Sequence, residues 1–126
     1  MTTKKILVID DSRSLRQMVA YTLNSIGYQV VEAVDGSDGW QKSQEQLFDL
    51  VFTDQNMPMF DGIWLIKALR NSQSYQRIPI FMLTNETGEE MKALGREAGA
   101  TGWIAKPFDP TRLLELVRKV IGEAND

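Results

Sequence analysis

The feature that most constrains the fold of this chain is a short apolar run, Leu50-Val51-Phe52, which ends two residues later at the carboxylate of Asp54. The length of the run and its aromatic and β-branched residues favour a buried strand over a helix. Pro58 and the pair Asp61-Gly62 predict a loop directly afterwards. Asp54 is therefore expected at the carboxyl end of a central strand, where a buried carboxylate is costly unless a cation meets it.

Composition narrows the class of protein. The length of 126 residues predicts a single domain spanning residues 1–126. The net charge of −3 argues against nucleic acid as a partner, because phosphate-binding proteins usually carry a basic surface. The chain has neither cysteine nor histidine, which excludes disulfides, thiolate catalysis, Ser-His-Asp catalysis and metal sites built on Cys or His. No apolar segment is long enough for a signal peptide or a membrane span, so we expect a cytoplasmic protein with no membrane contact.

The remaining apolar runs predict four more strands, at 6–9, 29–33, 80–83 and 103–105. Helices are expected between and after the strands, at about 13–26, 36–46, 63–70, 87–98 and 110–121, with a polar loop at 72–77. Ser12 and Asp109 are the expected N-caps of the first and last helices, and Trp40 and Leu47 the expected anchors of the second. Unbroken apolar strands that alternate with helices predict an α/β fold, with a parallel sheet covered on both faces.

Four of the five predicted strands deliver polar groups to one edge of the sheet. These groups are Asp10 and Asp11, Asp54, Thr84 and Lys106. Ligands of such folds bind beyond the carboxyl ends of the strands. Three aspartates cannot share that edge as unscreened anions, so either some are protonated or a cation lies among them. Ligands that offer only oxygen select a hard ion, Mg²⁺ or Mn²⁺.

Together with Lys106 and the Thr84 hydroxyl, such an ion would surround a small dianion and stabilise a phosphoryl group during transfer. Asp54 is then the natural nucleophile. The chain has no Walker loop and no dinucleotide-binding fingerprint, so a nucleotide is not the expected phosphate carrier.

Four segments resemble the receiver domains of two-component response regulators, and the resemblance covers essentially the whole chain. They are ILVIDD at 6–11, DLVFTDQNMPMFDG at 49–62, PIFMLTNE at 79–86 and GATGWIAKPF at 99–108. The resemblance is to the single-domain chemotaxis type, the CheY-like receivers. It implies a flavodoxin-like receiver fold, in which five helices sandwich a five-stranded parallel sheet of order 2-1-3-4-5. That order is the known one for this type of receiver, so it is taken from the resemblance.

The resemblance also implies roles for individual residues. Asp54 would accept a phosphoryl group from the phosphohistidine of a histidine kinase, so the protein would catalyse only its own phosphorylation and dephosphorylation. Asp11, Asp54 and the backbone carbonyl of Asn56 would bind Mg²⁺, with Asp10 acting partly through water. Lys106 would contact Asp54 and then the phosphoryl oxygens.

Switching residues follow from the same resemblance. Thr84 would move in to hydrogen-bond the phosphate, and the aromatic residue at 103 would swing inward with it. Asn56 and Glu86 would flank the path of the hydrolytic water. A downstream protein target would bind the face formed by helix 87–98, strand 103–105 and the last helix, on a protein expected to be a monomer.

Two positions depart from the family pattern. Position 103 is normally Tyr or Phe and here is Trp103, whose larger indole restricts the inward position. Position 85 is usually small and here is Asn85, which predicts hindered access to the site and slow hydrolysis.

Other interpretations stay open at this point. Trp40 and Trp64 are expected to be packing residues. Lys92, Arg96 and Lys119 could simply lie on solvent-exposed faces of their helices. A receiver of this kind could serve as a phosphate sink or relay in another pathway instead of chemotaxis. A flavodoxin-like electron carrier would need a phosphate loop where this chain has Asp10-Asp11, and an aspartate-nucleophile phosphatase would need a cap domain.

Overall fold

The structure is a computed structural model that describes residues 3–85 and 88–125. Within those ranges strands and helices alternate along the chain. The strands are β1 (Lys5–Ile9), β2 (Gln29–Ala33), β3 (Leu50–Asp54), β4 (Ile80–Thr84) and β5 (Gly102–Ala105). The helices are α1 (Arg13–Asn24), α2 (Gly36–Glu45), α3 (Gly62–Arg70), α4 (Glu89–Ala98) and α5 (Pro110–Ile121).

The strands form one parallel sheet in the order β2-β1-β3-β4-β5, which confirms the expected fold and strand order. Their register aligns the carboxyl ends: Ile9 lies opposite Thr53, and Thr84 lies opposite Ala105. The residues that immediately follow β1 and β5, and the last residues of β3 and β4, therefore meet along a single edge of the sheet.

The core has two layers because successive side chains of each strand point to opposite faces of the sheet. In β1, Ile6 and Val8 pack against α1 and α5, whereas Leu7 and Ile9 pack on the side of α2, α3 and α4. β3 and β4 are buried along their whole length, as expected for strands covered on both faces.

The first and last helices begin at the N-cap residues that the sequence predicts. The Ser12 side chain accepts a hydrogen bond from the backbone N–H of Leu15, and the Asp109 side chain accepts one from the N–H of Thr111. In the described part of the chain, no helix combines the length and the apolar character needed to cross a bilayer.

Two expectations about the second helix and the loop after the third are wrong. Leu47 is 63% exposed and does not anchor α2. Its place is taken by Tyr75, which lies in a short 3-10 helix (Gln73–Tyr75) inside the predicted polar loop. Tyr75 is buried, and its hydroxyl donates to the backbone oxygens of Ser43 and Gln46, at 2.8 and 3.0 Å. The aromatic ring of Tyr75 thus packs at the end of α2 while its hydroxyl bonds the last carbonyls, which the side chain of Leu47 cannot do.

Candidate functional site

Three carboxylates meet at the carboxyl edge of the sheet. Asp10, Asp11 and Asp54 each offer a ligand oxygen, and these oxygens lie within 4.8 Å of one another. Asp10 is fully buried and Asp54 is 4% exposed, whereas Asp11 faces solvent. Because β1 and β3 are neighbours, the residue after β1 and the last residue of β3 must come together. The structure therefore produces the acidic cluster through strand pairing.

Lys106 lies between two of these acids. Its Nζ donates to Oδ2 of Asp10 and to Oδ1 of Asp54, each at 3.0 Å. Its backbone N–H donates to the carbonyl of Thr84 at 2.9 Å, which fixes the residue to the end of β4. The peptide bond that follows, to Pro107, is cis. One ammonium group is thus shared between two buried carboxylates.

The pKa shifts follow from this sharing. Burial of Lys106 disfavours its charged form, but the hydrogen bonds to Asp10 and Asp54 outweigh burial and raise its pKa. Burial raises the pKa of Asp54, and the charge of Asp10 adds to this effect. The hydrogen bond from Lys106 lowers the pKa of Asp54 only in part, so pairing with a lysine does not make this acid an unusually strong one. Burial of Asp54 therefore outweighs its hydrogen bond from the Lys106 ammonium, which also donates to Asp10.

The donor set fits a hard divalent cation. The cluster offers carboxylate oxygens and no nitrogen or sulfur ligand, which is the ligand type of Mg²⁺ and Mn²⁺. A second positive charge beside Asp10, Asp11 and Asp54 would also favour the ionised form of Asp54. The residues present are therefore compatible with the expected ion.

Arg16 supports the acidic cluster and was missed in the sequence. Its Nη1 donates to the backbone carbonyl of Asp10 at 2.7 Å, and its Nε lies 3.3 Å from Oε1 of Glu32. The contact with Glu32 is close in distance but poorly aligned as a hydrogen bond, so we regard it as a charge interaction. The Asp10 side chain is also fixed from the loop, because its Oδ1 accepts a hydrogen bond from the backbone N–H of Ser12 at 2.8 Å. The sequence did contain a signal for this contact: Arg16 is a cation in the first turn of the helix that follows the acidic pair Asp10-Asp11.

Gln55 fixes the loop that follows Asp54. Its buried side chain accepts from the N–H of Ile63 at 2.9 Å and donates to Oδ2 of Asp61 at 3.3 Å. The start of α3 approaches so closely that a Cβ at Gly62 would lie 2.6 Å from the carbonyl of Asp54. Only glycine fits this position, so the start of α3 packs directly against the end of β3.

The other predicted residues surround this centre at different depths. Thr84 ends β4 and is 1% exposed. Asn56 is exposed, and its backbone N–H bonds the carboxylate of Asp54. Asn85 is also exposed and lines a groove of about 490 Å³ beside the cluster, together with Lys106 and Pro107. Glu86 lies outside the described residues.

Trp103 lies farther from the acids than the other predicted residues. It is in β5 opposite Met82, two positions before the pair Thr84 and Ala105. Its indole is half-buried against the core beneath α3 and α4. The structure thus brings together the predicted acids and Lys106 directly, and places Trp103 along the strand that leads to Lys106.

A parallel α/β sheet with an acidic cluster and a lysine at its carboxyl edge is the architecture of the signalling domains called receivers. A family model described as the response regulator receiver domain matches residues 6–118. The chain belongs to this family, and it is a two-component response regulator receiver of the CheY type.

Individual relatives support the same assignment. The chemotaxis protein CheY1 of Helicobacter pylori is 37% identical over 120 residues, which cover 94% of this chain and 97% of the relative. A CheY homologue of Campylobacter jejuni is 35% identical, over 94% of this chain and 92% of the relative. The structure of Vibrio cholerae CheY4 superposes with a TM-score of 0.92 at 44% identity, covering 95% of this chain and all 100% of that one.

Proposed function

We propose that this receiver is a response regulator that accepts a phosphoryl group on Asp54 from a histidine kinase, with Mg²⁺, and thereby switches its binding to a protein target. The observation that carries the proposal is the hydrogen bond from Lys106 Nζ to Asp54 Oδ1 at 3.0 Å, next to the clustered oxygens of Asp10 and Asp11. Chemotaxis is the favoured pathway, because relatives matched over almost their whole length are named as chemotaxis proteins.

The transfer step uses the carboxylate of Asp54 as the nucleophile. One of its oxygens forms a bond to the phosphorus of a phosphohistidine, the P–N bond breaks, and the imidazole keeps the electron pair and takes up a proton. The product is an acyl phosphate on Asp54 and a neutral histidine on the kinase. No group on this chain has to transfer a proton to Asp54, since the nucleophile reacts in its ionised form.

Each neighbour of Asp54 then has a distinct task. Asp11, Asp54 and the backbone carbonyl of Asn56 would hold Mg²⁺, with Asp10 acting partly through water. The ion, when bound, supplies positive charge beside the phosphoryl oxygens. The Lys106 ammonium, which donates to Asp10 and Asp54, can follow the negative charge from Asp54 to the phosphoryl group.

Switching would follow from the new dianion. The Thr84 hydroxyl hydrogen-bonds a phosphoryl oxygen, and Trp103 moves inward as Thr84 is drawn toward Asp54. This shifts an equilibrium on the face of α4, β5 and α5, where the target binds. A cavity of about 640 Å³ beside β5 and α5, lined in part by Phe108 and Leu116, gives that face a recess for an apolar side chain.

Acetyl phosphate tests the acceptor without the kinase. Incubation with Mg²⁺ is expected to add the mass of one phosphoryl group, and EDTA is expected to prevent the addition. Asp54→Asn should not be labelled, whereas Asp49→Asn, a matched change just before β3, should be labelled as the native protein is. Labelling that persists in Asp54→Asn would refute the assignment of the acceptor.

A further inference from the structure

Two cations of one helix flank the indole of Trp103. Nζ of Lys92 lies 5.4 Å from the centre of the indole, and Cζ of Arg96 lies 5.8 Å from it. Both distances fall within the range of about 6 Å in which the face of an aromatic ring attracts a cation. Among residues 3–85 and 88–125, no carboxylate forms a salt bridge with either cation. The electron-rich ring of Trp103 is therefore the group that attracts both cations.

The spacing of the two cations makes this arrangement unusual. Lys92 and Arg96 are four residues apart and lie on the same face of α4, where like charges repel and weaken a helix. Lys92 is also half-buried, which a purely solvated helix face does not explain. An indole within reach of both charges offsets the repulsion, since the electron-rich face of the ring attracts cations.

We propose that Lys92 and Arg96 are positioning residues for Trp103: they hold the indole against α4, and its inward movement has to leave both cations. This inference rests on the proposed function, because the phosphoryl group on Asp54 is what draws the indole inward. In a two-state equilibrium, a contact made in only one state sets the balance between them. Loss of one exposed cation–π contact is expected to shift that balance about threefold, and loss of both about tenfold.

The position of Trp103 can be followed directly in protein labelled with 5-fluorotryptophan. The ¹⁹F resonance of Trp103 is identified by its absence in Trp103→Phe. Beryllofluoride, a stable mimic of the phosphoryl group, is titrated in excess Mg²⁺ and the midpoint of the Trp103 shift is measured. The midpoint is expected to fall about threefold in Lys92→Met or Arg96→Met and about tenfold in the double variant.

Three controls separate the contact from a general effect of charge or folding. Lys92→Arg and Arg96→Lys keep the cations and should keep the native midpoint. Lys119→Met removes the same charge from an exposed position on α5 and should also leave the midpoint unchanged. In the absence of beryllofluoride, the Trp103 resonance should shift in the double methionine variant and stay in place in Lys119→Met.

The outcomes distinguish this inference from the function on which it rests. Failure of the native protein to gain a phosphoryl group from acetyl phosphate would reject the proposed function. Normal labelling, combined with a double variant whose midpoint equals or exceeds the native value, would reject the role of Lys92 and Arg96 alone. An unliganded Trp103 resonance that is identical in the native and double-variant proteins would show that the cations do not hold the indole.

Discussion

The ammonium of Lys106 lies 3.0 Å from Oδ1 of Asp54 while it also donates to Asp10, so a single cation serves two buried acids. The hydrogen bonds to both acids raise the pKa of Lys106, whereas burial raises the pKa of Asp54 by more than the shared ammonium lowers it. Lys106 therefore neutralises the two buried acids only in part, and a bound divalent cation would supply the remaining positive charge.

Lys106→Met is expected to lower the free energy of unfolding by about 3 kcal/mol at pH 7 in the absence of divalent ions, because two buried carboxylates lose their cationic partner. Mg²⁺ should restore much of the loss and should bind more tightly than to the native protein, since no ammonium competes for the acids. Urea unfolding with and without Mg²⁺ measures the first effect, and calorimetric titration measures the second. Lys119→Met is the matched control, and equal stability of both variants would contradict the shared-cation arrangement.

Asp54→Asn is expected to stabilise the fold at pH 7 in the absence of divalent ions, because it removes one of two buried carboxylates that share a single ammonium. Burial, together with the charge of Asp10, raises the pKa of Asp54 in the folded state. An acid whose pKa is raised by folding stabilises the fold below its unfolded pKa of about 3.9, and that stabilisation is lost as the pH rises through the folded pKa. Asparagine does not ionise, so the variant does not lose this stabilisation as the pH rises.

Urea unfolding from pH 4 to pH 8 checks this prediction. The difference in stability between Asp54→Asn and the native protein should be smallest at pH 4, grow through the folded pKa of Asp54, and then level off. Glu97→Gln, on an exposed position of α4, should show no such growth. A difference that shrinks as the pH rises would mean that Asp54 is favoured in its ionised form by the fold.

The strands and their polar ends could be predicted because each signal is local. A buried parallel strand needs an apolar run, and the run ends near the point where the chain leaves the sheet. Thr84 is visible in the sequence as the first polar residue after its run, and Asp54 as the first charged one. Parallel pairing then places all such ends along one edge. The strand order itself came from the family resemblance, because apolar periodicity does not say which strands are neighbours.

The contacts that could not be predicted depend on how separate elements pack against one another. Arg16 reaches the carbonyl of Asp10 and the carboxylate of Glu32 only once α1 lies across β1 and β2. Tyr75 closes the end of α2 from a segment whose polar composition predicts a loop. Lys92 and Arg96 have the sequence pattern of a solvated face, and their contact with Trp103 depends on how α4 lies over β5. Each depends on side-chain reach between elements, which spacing along the chain does not encode.

Arg70 is expected to be a purely structural cation. Its Nη1 donates to the carbonyls of Tyr75 and Ile78 at 2.6 and 2.8 Å, and its Nε donates to the carbonyl of Gly99 at 2.9 Å. A lysine keeps the charge but cannot reach three carbonyls with a planar fork, so Arg70→Lys should lower the free energy of unfolding by about 2 kcal/mol. Urea unfolding measures the loss, with Lys67→Arg on the exposed side of α3 as control.

Labelling by acetyl phosphate should proceed at the native rate in Arg70→Lys. The carbonyls that Arg70 bonds precede β4 and β5, at the opposite edge of the sheet from Asp54. A slower rate in a variant that remains folded would show that this cluster is coupled to the acceptor.

Asn85→Ala is expected to speed the loss of the phosphoryl group from Asp54. Asn85 is exposed on the groove that also contains Lys106 and Pro107, so its side chain occupies space through which water would reach the acyl phosphate. Removing the amide should raise the hydrolysis rate about threefold, a change of ~0.7 kcal/mol in the barrier. The protein is labelled with acetyl phosphate and desalted, and the labelled fraction is then followed over time by intact mass.

Ser14→Ala is the control for this prediction, because Ser14 lines the same groove from α1 and the substitution removes a smaller polar group from it. It should leave the hydrolysis rate unchanged if the position next to Thr84 controls access. Equal acceleration in both variants would indicate that the polarity of the groove matters and not the size of the residue at 85. An unchanged rate in Asn85→Ala would show that the Asn85 side chain does not hinder the access of water. The hydrolysis rate would then be controlled by Asn56 and the residues around Asp54.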